Sequence, residues 1–463
     1  MNLWLKLKES MQFHAASTVS EGNRCYTYSE LICKAERLAS KLDGICYAIY
    51  CRSELNTAVA ILACLAAQKT AVPLSYRYGE IHCQRILGAI QPPYIISDDD
   101  ITGNEADCCV KKSGYHEYQV PEINPALIMC TSGTTGSPKG AMLTDNNILC
   151  NLNDIRSYFS IRPDDCVFLS RPLYHCAVLT GEFLVSLITG CNLVFYSESF
   201  NPAIMLRVLK EKCVTVWGNT PTLWKSICLL AHSMKYPLHL RVAMVSGESL
   251  SRRTADLLRQ TFPQTQIYHV YGLTEASPRV TYLPPHEFDE FFESVGYPLD
   301  SVEYRIVDEA GASVTVGQTG VLQIKGGNVM QGYYNDVEAT NRVVKNGWLD
   351  TGDMASVDSL GHLRIHGRKD KMIIRAGMNI YPAEVEHALS SDPRVQDVYV
   401  YGKPDAMYGE AIVLVISGEF ESERDIRLLC ARTLPSYEQP TYIRWLDHLT
   451  YTASGKIVRL EEV

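Results

Sequence analysis

Met129-Cys130-Thr131-Ser132-Gly133-Thr134-Thr135-Gly136-Ser137-Pro138-Lys139-Gly140 is the stretch on which the reading of this chain turns. Thr131 to Gly140 places hydroxyls, glycines and one lysine in a single loop, a composition suited to holding phosphate. Glycines let backbone amides turn inward and approach an anion closely. Thr131, Ser132, Thr134 and Thr135 add hydroxyl donors, Gly133 and Gly136 supply the turns, and Lys139 adds a compact positive charge. The apolar run Ala126-Leu127-Ile128-Met129 reads as a strand. The segment 144–152, capped by Thr144 or Asp145, reads as a helix start. Strand, glycine-rich loop and helix together are a general phosphate-site geometry. The loop is not a Walker sequence, because a proline separates Gly136-Ser137 from Lys139.

Bulk properties narrow the class. At 463 residues the chain has room for about three domain-sized units. A net charge of -9 argues against nucleic acid as the main partner, since phosphate-tracking surfaces carry a basic excess. The sixteen cysteines include no Cys-x-x-Cys pair, which argues against a zinc or thioredoxin-like site. Free thiols in a reducing, cytoplasmic setting are the simplest account. Met1–Ser10 lacks a signal-peptide core. No uncharged apolar run reaches the roughly 18 residues a membrane span needs. The longest candidate, 177–196, contains Glu182 and is expected to be a buried core segment.

The pattern outward from the loop is α/β. Residues 26–42 read as a helix burying Leu31, Ala35, Leu38 and Leu42; 45–50 and 70–73 read as strands, with a helix over 55–68 between them. Alternation continues to about residue 280, as in parallel sheets covered by helices. From Ser294 to Ile324 short strand-like pieces mark a β-rich subdomain, and 363–366 looks like its last strand. Gly367-Arg368-Lys369-Asp370 reads as a polar joint. Beyond it, strands over 395–401 and 410–417 and helices over 383–390 and 421–433 form a small α+β unit with a basic tail. The expected organisation is a large N-terminal domain over 1–366, built from two parallel-type αβ sheets and a β-rich subdomain. A small mobile C-terminal α+β domain follows over 367–463, with a hinge near Asp370.

Four further constellations carry chemistry. Tyr268-His269-Val270-Tyr271-Gly272-Leu273-Thr274-Glu275 offers an aromatic face, a sharp turn, a hydroxyl and a carboxylate. Tyr271 can stack on a purine and Glu275 can hold Mg²⁺; alone, the run is equally an ordinary turn beside a surface acid. Asp353, in Trp348-Leu349-Asp350-Thr351-Gly352-Asp353, is either a turn former or an acceptor for two ribose hydroxyls. Arg368 is either part of a domain joint or within reach of a ribose, and Asp370 is the pivot. Thr452-Ala453-Ser454-Gly455-Lys456 presents a lysine on a turn near the chain end, either as a solvated surface group or as a point charge for a developing anion.

Taken together, in this order and spacing, the motifs resemble the adenylate-forming (ANL) superfamily of acyl-CoA synthetases, peptide-synthetase adenylation domains and luciferases. The resemblance runs from Tyr26-Thr27-Tyr28-Ser29-Glu30-Leu31 to Gly455-Lys456. It implies an ATP-dependent, AMP-forming acid–thiol ligase with two half-reactions in one site. A carboxylate attacks the α-phosphorus of ATP and expels pyrophosphate; a thiol then attacks the acyl-adenylate and expels AMP. The resemblance assigns the phosphate loop, Thr131 to Lys139, to the β- and γ-phosphates, Thr274 to the α-phosphate and Glu275 to Mg²⁺. It assigns Gly247-Glu248-Ser249, His269, Tyr271 and Gly272 to the nucleotide pocket, Asp353 and Arg368 to the ribose, and Lys456 to the first half-reaction.

Arg171-Pro172-Leu173-Tyr174-His175 matches the Pro-Leu-aromatic-His pattern of acyl- and aryl-CoA ligases. No acid occupies 174–180 to pair with a substrate ammonium, so the expected substrate is a small carboxylic acid without an α-amino group. His175 is either a core histidine or a neighbour of that carboxylate. Residues 217–222, 245–247 and 269–274, with Trp217, Gly218, Asn219 and Val245 foremost, are expected to line the acyl pocket. The accepting thiol belongs to CoA or to the phosphopantetheine of a separate carrier protein. Met372 to Glu386 resembles the acyl-CoA ligase form of its loop, with Ala376-Gly377 where relatives carry Gly-Gly.

Overall fold

The computed structural model describes residues 2–102, 110–115, 118–131, 138–198, 200–234, 240–376, 378–405 and 408–450. Two large sheets dominate the first part of the chain. The nine-stranded sheet has a parallel core formed by Gln266–Gly272, Val242–Ser246, Val216–Asn219, Cys166–Leu169, Asn192–Phe195 and Thr18–Glu21. Its edges are antiparallel: Arg279–Leu283 and Tyr297–Pro298 on one side, Arg24–Thr27 on the other. The seven-stranded sheet has Leu127–Thr131, Thr70–Pro73, Cys46–Ile49 and Tyr94–Ile96 in parallel at its centre. The parallel reading therefore holds for the sheet interiors and fails at their margins.

Local chemistry sets the boundaries. The helix Tyr28–Ala39 starts two residues later than periodicity suggested. Thr27 caps it, its side chain accepting from the Glu30 amide while Glu30 reaches back to the Thr27 amide. Arg24–Thr27 is thereby freed to pair with Thr18–Glu21. Leu31, Ala35, Leu38 and Leu42 are buried, as the spacing required. The segment 177–196 is the expected core passage; it includes a π-helical turn over Leu179–Leu184 and then the strand Asn192–Phe195.

The largest correction concerns the phosphate loop. Its last two residues and those after them, Lys139–Leu143, form a strand that folds back antiparallel on Leu127–Thr131, with Thr131 opposite Lys139. The loop therefore joins a hairpin. The helix Asp145–Tyr158, capped by Thr144, begins only after that second strand. The glycine-rich run is therefore followed directly by a strand and not by a helix N-terminus.

A five-stranded antiparallel sheet follows, built on Val302–Val307, Gly320–Gly326, Trp348–Val357 and Leu363–Arg368. Arg368 is its last residue, and the short turn Lys369–Lys371 leads to Ile373–Arg375 of a separate sheet. That sheet contains the long hairpin Val395–Asp405 and Gly409–Gly418, the short strand Met378–Ile380 and the parallel edge Tyr442–Leu446. It packs on Pro382–Ser390 and Glu423–Thr433 around a core of its own. Among the described residues no helix is long and apolar enough to cross a membrane.

Candidate active site

The site lies at the carboxyl ends of the parallel strands, where Thr131, the antiparallel sheet and the C-terminal unit border adjoining cavities. Tyr271 is the last residue but one of the strand Gln266–Gly272, and a bulge separates it from Gly272. The bulge brings the chain so close that a Cβ on Gly272 would stand 2.0 Å from the Pro278 carbonyl oxygen; only glycine fits. The Tyr271 hydroxyl donates to Asp353 Oδ2 at 2.5 Å. Asp353 stands opposite Arg368 in the neighbouring pair of strands. The Arg368 guanidinium lies 3.7 Å from Asp353 Oδ1, and its Nη1 donates to the Thr351 carbonyl at 2.8 Å. Burial raises the Asp353 carboxyl above its usual range, against the pull of Tyr271 and Arg368. Asp370 Oδ1 accepts from Arg368 Nε at 3.3 Å.

These groups face a cavity of about 440 Å³, of the size of small-molecule sites, also lined by Gly247, Glu248, Ser249, His269 and Gly272. Gly247 has φ +90°, a left-handed turn that suits glycine, and a Cβ there would meet the Thr220 methyl in ordinary contact at 3.7 Å. Glu248 Oε2 accepts from the Thr222 hydroxyl at 2.7 Å, which anchors this turn to the start of the helix Pro221–Ser233. His269 is buried, and burial pushes its pKa down to about 4. It is therefore neutral near pH 7, and Nδ1 donates to the Phe292 carbonyl at 2.9 Å.

A second cavity of about 420 Å³ shares Gly247, Gly272 and Leu273 with the first and continues to Thr131, Thr274 and His175. Beside it, Glu275 sits in the turn Thr274–Ala276, and its Oε1 accepts from the Tyr333 hydroxyl at 2.7 Å. Lys139 Nζ stands 5.3 Å from the centre of the Tyr333 ring. A lysine and a carboxylate thus flank one tyrosine. Tyr333 holds one oxygen of the Glu275 carboxylate, and a carboxylate beside this cavity fits a hard cation shared with phosphate oxygens.

The acyl-pocket expectation needs correcting. Of the expected residues, Thr220, Ser246, Gly247, Gly272, Leu273 and Thr274 line this cavity, whereas Trp217, Gly218, Asn219 and Val245 do not. Trp217 points to the far face of its sheet. There its Nε1 donates to Ser170 Oγ at 2.9 Å and its ring packs 4.8 Å from Trp224. Val245 joins the same buried cluster. Asn219 is fully buried and accepts from Ser170 Oγ at 3.3 Å. Gly218 has its backbone against Glu182 and Met244. Successive side chains of a strand point to opposite faces, so a run of neighbouring residues cannot all reach one cavity. Ser132, Gly133, Thr134, Thr135, Gly136 and Lys456 lie outside the described residues.

The structure also adds residues that sequence reasoning missed. Tyr333 joins Lys139 to Glu275, and the arginines Arg171 and Arg279 line the second cavity. The C-terminal unit closes one side of the first cavity through Ala383, Glu384 and His387. His366 Nδ1 stands 2.5 Å from Glu384 Oε1, and Arg253 Nη1 donates to the Val395 carbonyl at 2.9 Å. The signal for Arg171 and Arg279 was a charge within an otherwise apolar stretch.

Comparison with known proteins agrees with this geometry. The AMP-binding enzyme family matches residues 7–334, and the AMP-binding enzyme C-terminal domain matches 384–456. A feruloyl-CoA synthase from Amycolatopsis is 30% identical over 487 residues, covering 99% of this chain and 97% of that protein. A long-chain-fatty-acid–CoA ligase from Escherichia coli is 34% identical over 364 residues, 75% of this chain and 64% of the relative. The o-succinylbenzoate CoA synthetase of Bacillus subtilis, solved with its acyl-adenylate intermediate, superposes with a TM-score of 0.86 at 26% identity, over 100% of this chain and 98% of that one. The same enzyme solved with ATP and magnesium gives 0.84 at 25% identity, covering 98% of each chain. The chain belongs to the AMP-binding enzymes of the adenylate-forming superfamily and is a ligase of the acyl-CoA synthetase type.

Proposed function

We propose that this chain activates a small carboxylic acid lacking an α-amino group by adenylation and passes the acyl group to the thiol of CoA, releasing pyrophosphate and then AMP. The observation that carries the reading is the pair of cavities that share Gly247, Gly272 and Leu273. One is furnished for a nucleoside and the other for an acid, so the α-phosphate and the carboxylate would meet at their common wall.

In this reading Tyr271 and the Gly247–Ser249 turn hold adenine, His269 supports the turn as a neutral ring, and Asp353 accepts from the ribose hydroxyls with Arg368 beside it. Thr274 donates to the α-phosphate. Thr131, Lys139 and the loop 132–136 hold the β- and γ-phosphates. Glu275 supplies a ligand to Mg²⁺, which spreads the negative charge of the triphosphate when bound. His175 borders the reacting carboxylate. Little covalent work falls to the protein; in-line placement and charge neutralisation carry the transfer at phosphorus. Lys456 supplies the charge that stabilises departing pyrophosphate. The unit from residue 367 onward then swings about Asp370, withdrawing Lys456 and admitting the thiol. The free, mostly buried cysteines suit a reducing cytoplasm.

The test is a pyrophosphate-release screen over a panel of carboxylic acids, run with ATP and Mg²⁺, with and without CoA, and with the thioester measured by mass. Acid-dependent pyrophosphate together with acyl-CoA supports the reading. Pyrophosphate without a thioester on CoA overturns the acceptor.

A further inference from the structure

Three charged side chains are buried together at the acyl cavity. Arg171, Glu182 and Arg279 are 8%, 4% and 2% exposed. Arg171 Nη2 donates to Glu182 Oε1 at 2.7 Å. Glu182 also lies in the field of Arg279, and burial still raises its carboxyl above the usual range. One carboxylate answers two guanidiniums, so the group carries an excess positive charge. Both arginines line the cavity, and Glu182 does not. Among the described residues, Nε of Arg171 and Nε and Nη2 of Arg279 have no hydrogen-bond partner.

The surrounding backbone makes room for this group. Glu182 projects from the π-helical turn Leu179–Leu184, an irregularity that recurs at functional sites. A Cβ on Gly181 would come within 3.0 Å of Arg279 Nη2. A Cβ on Gly218 would come within 3.1 Å of the Glu182 carboxylate. A buried cation short of an anion is costly unless something supplies one.

We infer that the acyl cavity is built for an acid bearing a second carboxylate, which pairs with Arg279 and Arg171 while the first carboxylate reacts. The inference rests on the ligase reading above and narrows its substrate class. The same positive wall repels a substrate ammonium, which the absence of a free acid there already disfavours. The second carboxylate takes no part in bond making; it fixes the distance between the arginine wall and the reacting end.

The test uses matched pairs of acids that differ by the second carboxylate: butyrate and succinate, hexanoate and adipate, 3-phenylpropionate and 3-(2-carboxyphenyl)propionate. Pyrophosphate release is measured for each with ATP and CoA in excess. In the best-accepted pair the diacid is expected to lead by at least about tenfold in kcat/KM, since a site built around a polar group rejects the analogue lacking it. Arg279→Leu should bring that ratio close to one by raising the diacid KM, with the KM for ATP unchanged. Glu182→Gln should move the ratio the other way, and it keeps the test open if Arg279→Leu does not fold. Monoacids equal to or better than diacids in every pair overturn the inference and leave the ligase reading intact. So does a ratio indifferent to Glu182→Gln, or a KM for ATP that moves in place of the diacid KM. Acyl-CoA formation from other acids but from no member of these pairs also overturns the inference alone. No release from any acid overturns both.

Discussion

The hydroxyl of Tyr271 donates to Asp353 Oδ2 at 2.5 Å, joining the end of the nine-stranded sheet to the antiparallel sheet that follows it. The bond orients a carboxylate and an aromatic ring within one cavity wall. Tyr271→Phe removes the donor and keeps the ring. A hydrogen bond to a charged group contributes about 1.5–3 kcal/mol, so the KM for ATP should rise by roughly tenfold to a hundredfold. The KM for the acid should change little. Initial-rate kinetics with each substrate varied in turn checks this split.

Glu54 tests the support beneath the acyl wall. It is buried, accepts from the Leu173 amide at 3.0 Å, and burial pushes its pKa up to about 7 from 4.5. The folded pKa lies above the unfolded one, so its favourable contribution is full below pH 4.5 and is lost as pH rises through 7. Glu54→Gln retains an acceptor oxygen and avoids that loss. The variant should gain thermal stability over the parent at pH 8, by about 3 kcal/mol on the linkage scale, and much less at pH 5. Melting temperatures at the two values decide it; an equal gain at both contradicts the burial account.

Ala376 holds φ +50°, the left-handed region that costs a residue with a Cβ roughly 1–2 kcal/mol. Its amide donates to the Tyr408 carbonyl at 2.8 Å, which fixes it there. Ala376→Gly should therefore stabilise the C-terminal unit, less the entropy of the added glycine, for a net gain of about 1 kcal/mol or less. Thermal melts detect the gain. If thiol access through this loop is limited by the methyl group, the KM for CoA falls as well.

Asp370 lies in the turn Lys369–Lys371 between two separate sheets. Proline there fixes φ and restricts the pivot. Asp370→Pro should leave one half-reaction within a few-fold of the parent and slow the other by about tenfold or more. Exchange kinetics and thioester formation from a supplied acyl-adenylate measure the two halves separately. Equal loss in both contradicts a pivoting role.

Much of this molecule was legible from local patterns. A strand near Leu127–Thr131, a helix start capped at Thr144 or Asp145 and the buried face of Tyr28–Ala39 follow from local residue patterns, and the structure selects Thr144. The hairpin across the phosphate loop was not, because Lys139–Leu143 is too short for periodicity to separate a strand from the approach to a helix. Trp217 misled for a different reason. Val216–Asn219 is buried on both faces, so polarity gave no register, and one residue decided which side chain saw the cavity. The Arg171–Glu182–Arg279 group was hidden by distance along the chain. Glu182 looked like a lone charge in a core segment until folding brought in two arginines, one from each side in sequence. Gly247 and Gly272 mark turns that the sequence already shows as glycines, and both line the first cavity.

Adenylation before thiol transfer is the centre of the account, and ATP–pyrophosphate exchange measures it most directly. With the accepted acid, ATP and Mg²⁺ but no CoA, radiolabelled pyrophosphate should enter ATP, and Lys456→Ala should slow this by about a hundredfold, the scale of losing one charge aimed at the transition state. Exchange that needs CoA, or that proceeds equally without the acid, would contradict it.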